Sequence, residues 1–258
     1  MRAPMGSEIK PYPFKTNTDT EVVLAAWLKW GVDCLHKFNG MFAFAIWDKK
    51  EKELFVVRDR LGIKPLYYFK NETDFVFSSE IRALLQSGIP GKQLDRDSLI
   101  DYLRYQTVHA PSTIISDVKM LMPGHYLVLK KNEMTTKKWW SLKEHVKLNE
   151  EENSATVHKN IKNLFFSAVE RRLISDVPFG AFLSGGIDSS AVVGAMAQVS
   201  TNKIETFNVS FDESEFSEAA YAKIIAKKFN TSHHEIKLSP SHFLYQLPEA
   251  LNAMDHPG

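Results

Sequence analysis

The sequence predicts a mixed α/β protein in two parts, an α+β unit on antiparallel strands followed by an α/β unit on a parallel sheet. Three observations carry the prediction. Between residues 41 and 77, short apolar runs alternate with polar turns, which is the spacing of hairpins. Between residues 178 and 237, strand-like runs alternate with helical periodicity, which implies parallel strands covered by helices. Residues 143–155 are polar and acidic and separate the two patterns. The boundary is therefore placed at 150/151, giving domains 1–150 and 151–258.

Residues 1–15 carry three prolines and little periodicity, so they read as an irregular entry. The first helix is expected from Thr18, which has capping-box spacing to Glu21; Asp19 suits the positive end of the helix dipole. Val22, Val23, Ala26, Trp27 and Trp30 form its apolar face, and Gly31 stops it. Residues 41–47 and 54–58 read as strands paired around the charged turn 48–52, and 66–69 with 75–77 continue the same meander. Ser78 or Ser79 is expected to cap a short helix ending near Gly88, and 95–105 reads as another helix. Pro123-Gly124 turns into a strand at 125–129, closed as a hairpin by 134–140. A helix over 154–172 opens the second half. Strands at 178–183, 204–211 and 233–237 then alternate with helices at 187–198 and 217–229.

The chain has 258 residues, 44% of them hydrophobic and 24% charged, an ordinary composition for a soluble globular protein. A formal charge of +1 gives no global drive toward nucleic acid or an anionic membrane, and neither is expected as a partner. Cys34 is the single cysteine, which excludes an intramolecular disulfide framework and a cysteine-rich zinc site. No apolar run reaches membrane-spanning length, and residues 1–6 lack an apolar signal core. A cytoplasmic location is expected.

The richest stretch is Phe182-Leu183-Ser184-Gly185-Gly186-Ile187-Asp188-Ser189-Ser190, where an apolar run ends in a hydroxyl and two glycines before a helical pattern begins. Such a strand, loop and helix bring backbone N–H groups and the positive end of a dipole to one place. Ser184, Ser189 and Ser190 add hydroxyl donors for phosphate oxygens, whereas Asp188 belongs beside a divalent cation. Together they point to a metal nucleotide. No Lys-Ser or Lys-Thr follows the glycines and the third glycine of a dinucleotide fingerprint is missing, so neither of those motifs applies. A packing turn that uses its glycines only for close approach is the competing reading. Val209, ending the next strand, should approach the same site; it could pack on an adenine ring or be an ordinary core valine.

The Ser-Gly-Gly-x-Asp-Ser-Ser loop resembles the pyrophosphate-binding loop of ATP pyrophosphatases. Longer stretches are more specific: Phe38 through Asp48, Arg58 through Tyr68 and Ser78 through Ile81 resemble the glutaminase domain of glutamine-hydrolysing asparagine synthetases. Thr206 through Phe211, Glu218 through Ala222 and His233-His234-Glu235 are similar to the synthetase domain of the same family, in the same order. The resemblance implies an N-terminal-nucleophile-type glutaminase sheet domain followed by a parallel-sheet ATP-pyrophosphatase-type domain. It further implies ATP-dependent conversion of aspartate to asparagine with glutamine as nitrogen donor, through an aspartyl-adenylate, releasing AMP and pyrophosphate. Glutamine, aspartate and ATP are then the substrates, ATP and Mg2+ the cofactors, and a homodimer is left open.

Carried over by matching motif, Asp19 holds the amino group of glutamine, a role that coexists with helix capping. Leu183, Ser184, Gly185, Gly186, Asp188, Ser189 and Ser190 form the ATP loop, Val209 contacts the nucleotide, and Asp188 acts through Mg2+. No catalytic residue is assigned. The family nucleophile is an N-terminal cysteine, whereas Met1 is followed here by Arg2, and Cys34 matches the family interior and reads as a small buried residue. The glutamine-binding segments that precede the aspartate motif, and the second nucleotide loop beyond Gly258, have no counterpart. The expectation is a fragment at both ends that releases no ammonia by itself. A relative acting on another carboxylate or a sugar-linked substrate, and a non-catalytic nucleotide-binding module, are the alternatives.

Overall fold

The computed structural model describes residues 12–146, 153–175, 177–211 and 217–255. They fall in two compact units, the first holding residues 12–146 with 254–255, the second the described residues between 153 and 253. The boundary expected at 150/151 lies outside the described residues, as do Met1 and Arg2.

In the first unit, α1 (Asp19–Trp30) and α2 (Cys34–Lys37) precede β1 (Ala43–Asp48) and β2 (Glu53–Arg58). Then come β3 (Tyr67–Lys70), β4 (Phe75–Ser78), α3 (Ile81–Gln86), α4 (Arg96–Tyr105), β5 (Val118–Met120), β6 (His125–Lys130) and β7 (Glu133–Lys138). The strands form two antiparallel sheets, in orders β1-β2-β6-β7 and β4-β3-β5. The single meander expected from the sequence is thus divided, and the short β5 was not anticipated. The division follows from the turn after β2. Asp59, 1% exposed, accepts the amides of Phe42 (3.2 Å), Leu61 (3.1 Å), Ile63 (3.0 Å) and Lys64 (3.0 Å). Arg58 donates to the carbonyls of Gly62, Lys64 and Leu121 at 2.7, 2.9 and 2.6 Å. Together these bonds bend the chain out of the first sheet before β3 begins. Gly62 is obligatory there: its φ is +66°, and a Cβ would lie 2.8 Å from Pro123 Cγ.

Val22, Ala25, Ala26, Cys34, Leu35, Phe38 and Phe42 bury the helices against the first sheet. Val56, Leu66, Leu121 and Leu127 form a second core shared by residues of both sheets. Burial of each large side chain contributes about 1.5–3 kcal/mol.

Two helix starts differ from the sequence reading. Thr18 is the N-cap of α1 but makes no side-chain cap bond, and Glu21 instead accepts the amides of Lys15 and Thr16 at 2.7 and 2.6 Å. Neither bond of the expected box forms: the Thr18 amide donates to Thr16 Oγ1 at 3.3 Å, and Glu21 serves the entry segment. The N-cap of α3 is Glu80 rather than Ser78 or Ser79. Its first amides, Ile81 and Arg82, donate to the Asp255 carboxylate at 2.6 and 2.8 Å. A full negative charge that takes two amides at the positive end of a helix outcompetes a local hydroxyl. No short-range pattern reveals a cap so far along the chain.

The second unit runs α5 (Ser154–Arg172), β8 (Gly180–Phe182), α6 (Ile187–Val199), β9 (Glu205–Phe211), α7 (Ala219–Lys228), β10 (Ser232–Leu238) and α8 (Pro240–Ala253). Its three strands are parallel, in order β10-β9-β8. Asn153 caps α5 by accepting the Ala155 amide at 2.9 Å. Leu183, Val193, Ala222 and Ala226 pack α6 and α7 against one face of the sheet. Strand β8 is shorter than the expected 178–183, and α8, which contains Pro248, was not anticipated.

Candidate nucleotide and glutamine sites

At the carboxyl end of β8 the chain turns through Leu183, Ser184, Gly185 and Gly186 into α6, whose N-cap is Gly186. Among the described residues no side chain caps this helix, so its first-turn amides face outward with the positive end of its dipole. The loop hydroxyls are gathered: Ser184 Oγ and Ser189 Oγ are 3.0 Å apart, and the Gly186 amide donates to Ser184 Oγ at 3.3 Å. Ser189 Oγ also donates to the Gly186 carbonyl at 3.3 Å. Asp188 is exposed in the first turn, and Ser190 Oγ is buried with no hydrogen-bond partner among the described residues.

The two glycines have different tasks. Gly185 has φ +88°, and a Cβ there would lie 2.5 Å from Tyr221 Cβ and 2.6 Å from the Ala222 amide nitrogen. This glycine therefore serves packing of the loop on α7, as the competing reading of the motif held. At Gly186 a Cβ would meet only Ser184 Oγ, at 3.4 Å, so that position stays open to a ligand. The Leu183 side chain is buried in the core and its amide donates to the Phe207 carbonyl at 2.7 Å, so this residue anchors the loop to β9. Val209 is 41% exposed, so it is not the enclosed core valine that periodicity favours.

Beside it, Asn208 Nδ2 donates to the Leu183 carbonyl at 2.9 Å, a bond no motif revealed. The signal was present in the sequence, because asparagine is depleted in strand interiors and this one sits in the middle of Thr206–Phe211.

In the first unit, a cavity of about 310 Å³ is lined by Asp19, Val23, Met41, Phe44, Lys64 and Ser79. Asp19 opens α1, and Lys64 follows the turn that Asp59 organises. A carboxylate and an ammonium on the wall of one cavity suit a zwitterionic amino acid. Lys64 lies inside the Arg58–Tyr68 motif, where the sequence alone gives it no role.

Residues 6–140, more than half of the chain, match the family model described as glutamine amidotransferase domain, and residues 160–258 match the one described as asparagine synthase. The chain belongs to the asparagine synthetase family of glutamine amidotransferases. It is 32% identical over 262 residues to glutamine-hydrolyzing asparagine synthetase 3 of Bacillus subtilis, covering 96% of this chain and 42% of that one. It is 38% identical over 225 residues to a putative glutamine-hydrolyzing asparagine synthetase 2 of Methanocaldococcus jannaschii, covering 85% and 43%. Glutamine-hydrolyzing asparagine synthetase 1 of Bacillus subtilis is 34% identical over 252 residues, covering 97% and 39%. The chain thus spans less than half the length of these asparagine synthetase relatives.

Within this family member, Cys34 is fully buried, and burial with the Asp33 charge pushes its thiol up to about 12. It is a neutral thiol at physiological pH and not an activated nucleophile. Among the described residues no three His, Cys, Asp or Glu side chains are grouped to hold a metal, and no helix is long and apolar enough to cross a membrane.

Proposed function

We propose that this chain supplies parts of both halves of glutamine-dependent asparagine synthesis. The first unit is read as the N-terminal-nucleophile-type glutaminase layer and the second as the ATP-pyrophosphatase-type layer. Glutamine binds in the cavity of the first unit with its amino group on Asp19. Magnesium ATP binds at the Ser184–Ser190 loop, where activation of aspartate as an adenylate would release pyrophosphate. The reaction forms a carbon–nitrogen bond between the aspartate side-chain carboxyl and ammonia released from glutamine. A cytoplasmic protein that assembles as a homodimer completes the reading.

The observation that carries it is the uncapped start of α6, with Ser184, Gly186 and Ser189 gathered at it, in a chain that matches a glutamine amidotransferase and then an asparagine synthase. The N–H groups of the first turn and two hydroxyls are the donor set a pyrophosphate requires. Asp188 is a single carboxylate beside them, which suits magnesium that keeps most of its ligands as phosphate oxygens and water. Leu183 contributes the backbone bonds that anchor the loop to β9, Gly185 the packing that shapes the loop, Ser190 a buried hydroxyl, and Val209 a contact for the base.

Calorimetry with magnesium ATP tests the reading. Gly186→Val should stay folded and bind at least about tenfold more weakly, because the side chain occupies the phosphate approach. Asp188→Ala, placed in a protein of the relatives' full length, should mainly slow aspartate-dependent pyrophosphate release. Unchanged binding and turnover in both well-folded variants would sink the assignment and leave a packing turn.

A further inference from the structure

Strand β9 runs past the end of β8, and one side chain decides what becomes of the exposed edge. The Ser232 amide donates to the Ile204 carbonyl at 2.8 Å, and the Leu183 amide donates to the Phe207 carbonyl at 2.7 Å. Even-numbered residues of β9 therefore turn their backbone groups toward β10, and Phe207, Val209 and Phe211 turn theirs toward β8. The last paired residue of β8 is Phe182, opposite Phe207. In an unbroken parallel ladder the next bond would join the Val209 amide to the Leu183 carbonyl. That carbonyl is instead taken by Asn208 Nδ2 at 2.9 Å, and the Val209 amide has no partner among the described residues. Asn208 is 5% exposed and lies on the covered face of β9 with Thr206 and Ser210, and its Oδ1 has no partner among the described residues. A buried amide with half its capacity unused is costly unless it does something the backbone alone would not.

We propose that Asn208 is a specificity-determining positioning residue. It closes the β8 ladder with a side chain, and so keeps the Val209 backbone N–H and C=O free to read the edge of a nucleobase next to the phosphate loop. A donor followed by an acceptor along a strand edge complements adenine, which offers the N1 acceptor beside the 6-amino donor. It opposes hypoxanthine and guanine, which present the reverse pair. Asn208 touches no ligand in this arrangement; it acts by withholding Leu183 from Val209. The inference rests on the nucleotide reading of the Ser184–Ser190 loop.

The test compares magnesium ATP, magnesium inosine triphosphate and magnesium tripolyphosphate by calorimetry. Wild type should prefer ATP to inosine triphosphate by about tenfold or more. Asn208→Leu, similar in size but without a donor, lets Leu183 pair with Val209; it should lose that preference while keeping its affinity for tripolyphosphate. Thr206→Val removes a buried hydroxyl from the same face of β9 and should lower stability without changing the preference. Equal losses for ATP and tripolyphosphate in Asn208→Leu, or an unchanged preference, would overturn the role of Asn208. If wild type binds none of the three, the nucleotide reading itself fails. Should Asn208→Leu not fold, wild-type amide exchange decides. A fast-exchanging Val209 amide that shifts with ATP but not with tripolyphosphate supports the proposal, and a protected one refutes it.

Discussion

Arg58 donates to the carbonyl of Leu121 at 2.6 Å, across 63 residues of sequence, from a side chain that is 5% exposed. With the bonds to Gly62 and Lys64 it satisfies three carbonyls at the point where the first sheet gives way to the second. Burial holds the guanidinium below its usual range, partly offset by the Tyr67 and Asp59 charges.

Removing it should therefore act on the whole first unit. Arg58→Met leaves buried carbonyls bare and is expected to cost about 3–5 kcal/mol. Arg58→Lys keeps the charge without the planar fork and should recover less than half of that. Denaturant unfolding of the two variants, followed by tryptophan fluorescence, measures both. A loss under 1 kcal/mol for Arg58→Met would show that water replaces the contacts.

The adjacent glycines of the nucleotide loop should separate folding from binding. Gly185→Ala combines a left-handed backbone with collision against α7 and is expected to destabilise the second unit by about 2–4 kcal/mol. Gly186→Ala meets only a hydroxyl and should leave the unfolding free energy within about 0.5 kcal/mol of wild type, with the midpoint barely moved. Equal midpoints for the two alanine variants would contradict the packing role of Gly185.

Cys34 gives a pH prediction. Its thiol is raised from 9.0 to about 12 in the folded protein, so the unfolded chain loses the proton first as pH rises. The contribution to stability is fully present below pH 9 and is lost between pH 9 and about 12. Cys34→Ala should flatten that limb of the stability–pH curve, at the cost of a small cavity. Native wild type at pH 8 should also react with a thiol reagent only as fast as the chain opens. Prompt labelling without unfolding would contradict the burial.

Asp255 should prove a cap by its local effect. Asp255→Ala is expected to cost about 0.5–2 kcal/mol and to speed amide exchange at Ile81 and Arg82 before any other residues of α3. Unchanged protection at both amides would mean that water or another acceptor serves equally well.

Period and turn chemistry made much of this architecture readable in advance. The 3.6-residue pattern that stops at Gly31, the alternation over 43–48 and 53–58, and the strand-helix order from 180 to 238 are local signals. What the sequence hid depends on distant partners. The break between the two antiparallel sheets comes from Asp59 gathering amides that include Phe42, and the cap of α3 comes from Asp255. At the nucleotide loop the motif located the residues but could not divide the labour of its glycines. That division is set by how close α7 passes, which no local pattern encodes. Asn208 was missed because family motifs direct attention to the residue beside it.

Among the described residues strand β7 ends the first sheet with one side unpaired, and its Thr135, Thr136, Lys137 and Lys138 are exposed, Lys138 reaching Glu144 at 2.8 Å. Lysines on an open edge discourage a second chain from adding its own strand, since two such edges would repel as they met. The same strand with valines at 137 and 138 would be a flat, apolar template. Concentrated solutions of Lys137→Val/Lys138→Val should then scatter light and bind an amyloid dye under conditions where the parent stays clear, which marks these two charges as a safeguard against aggregation.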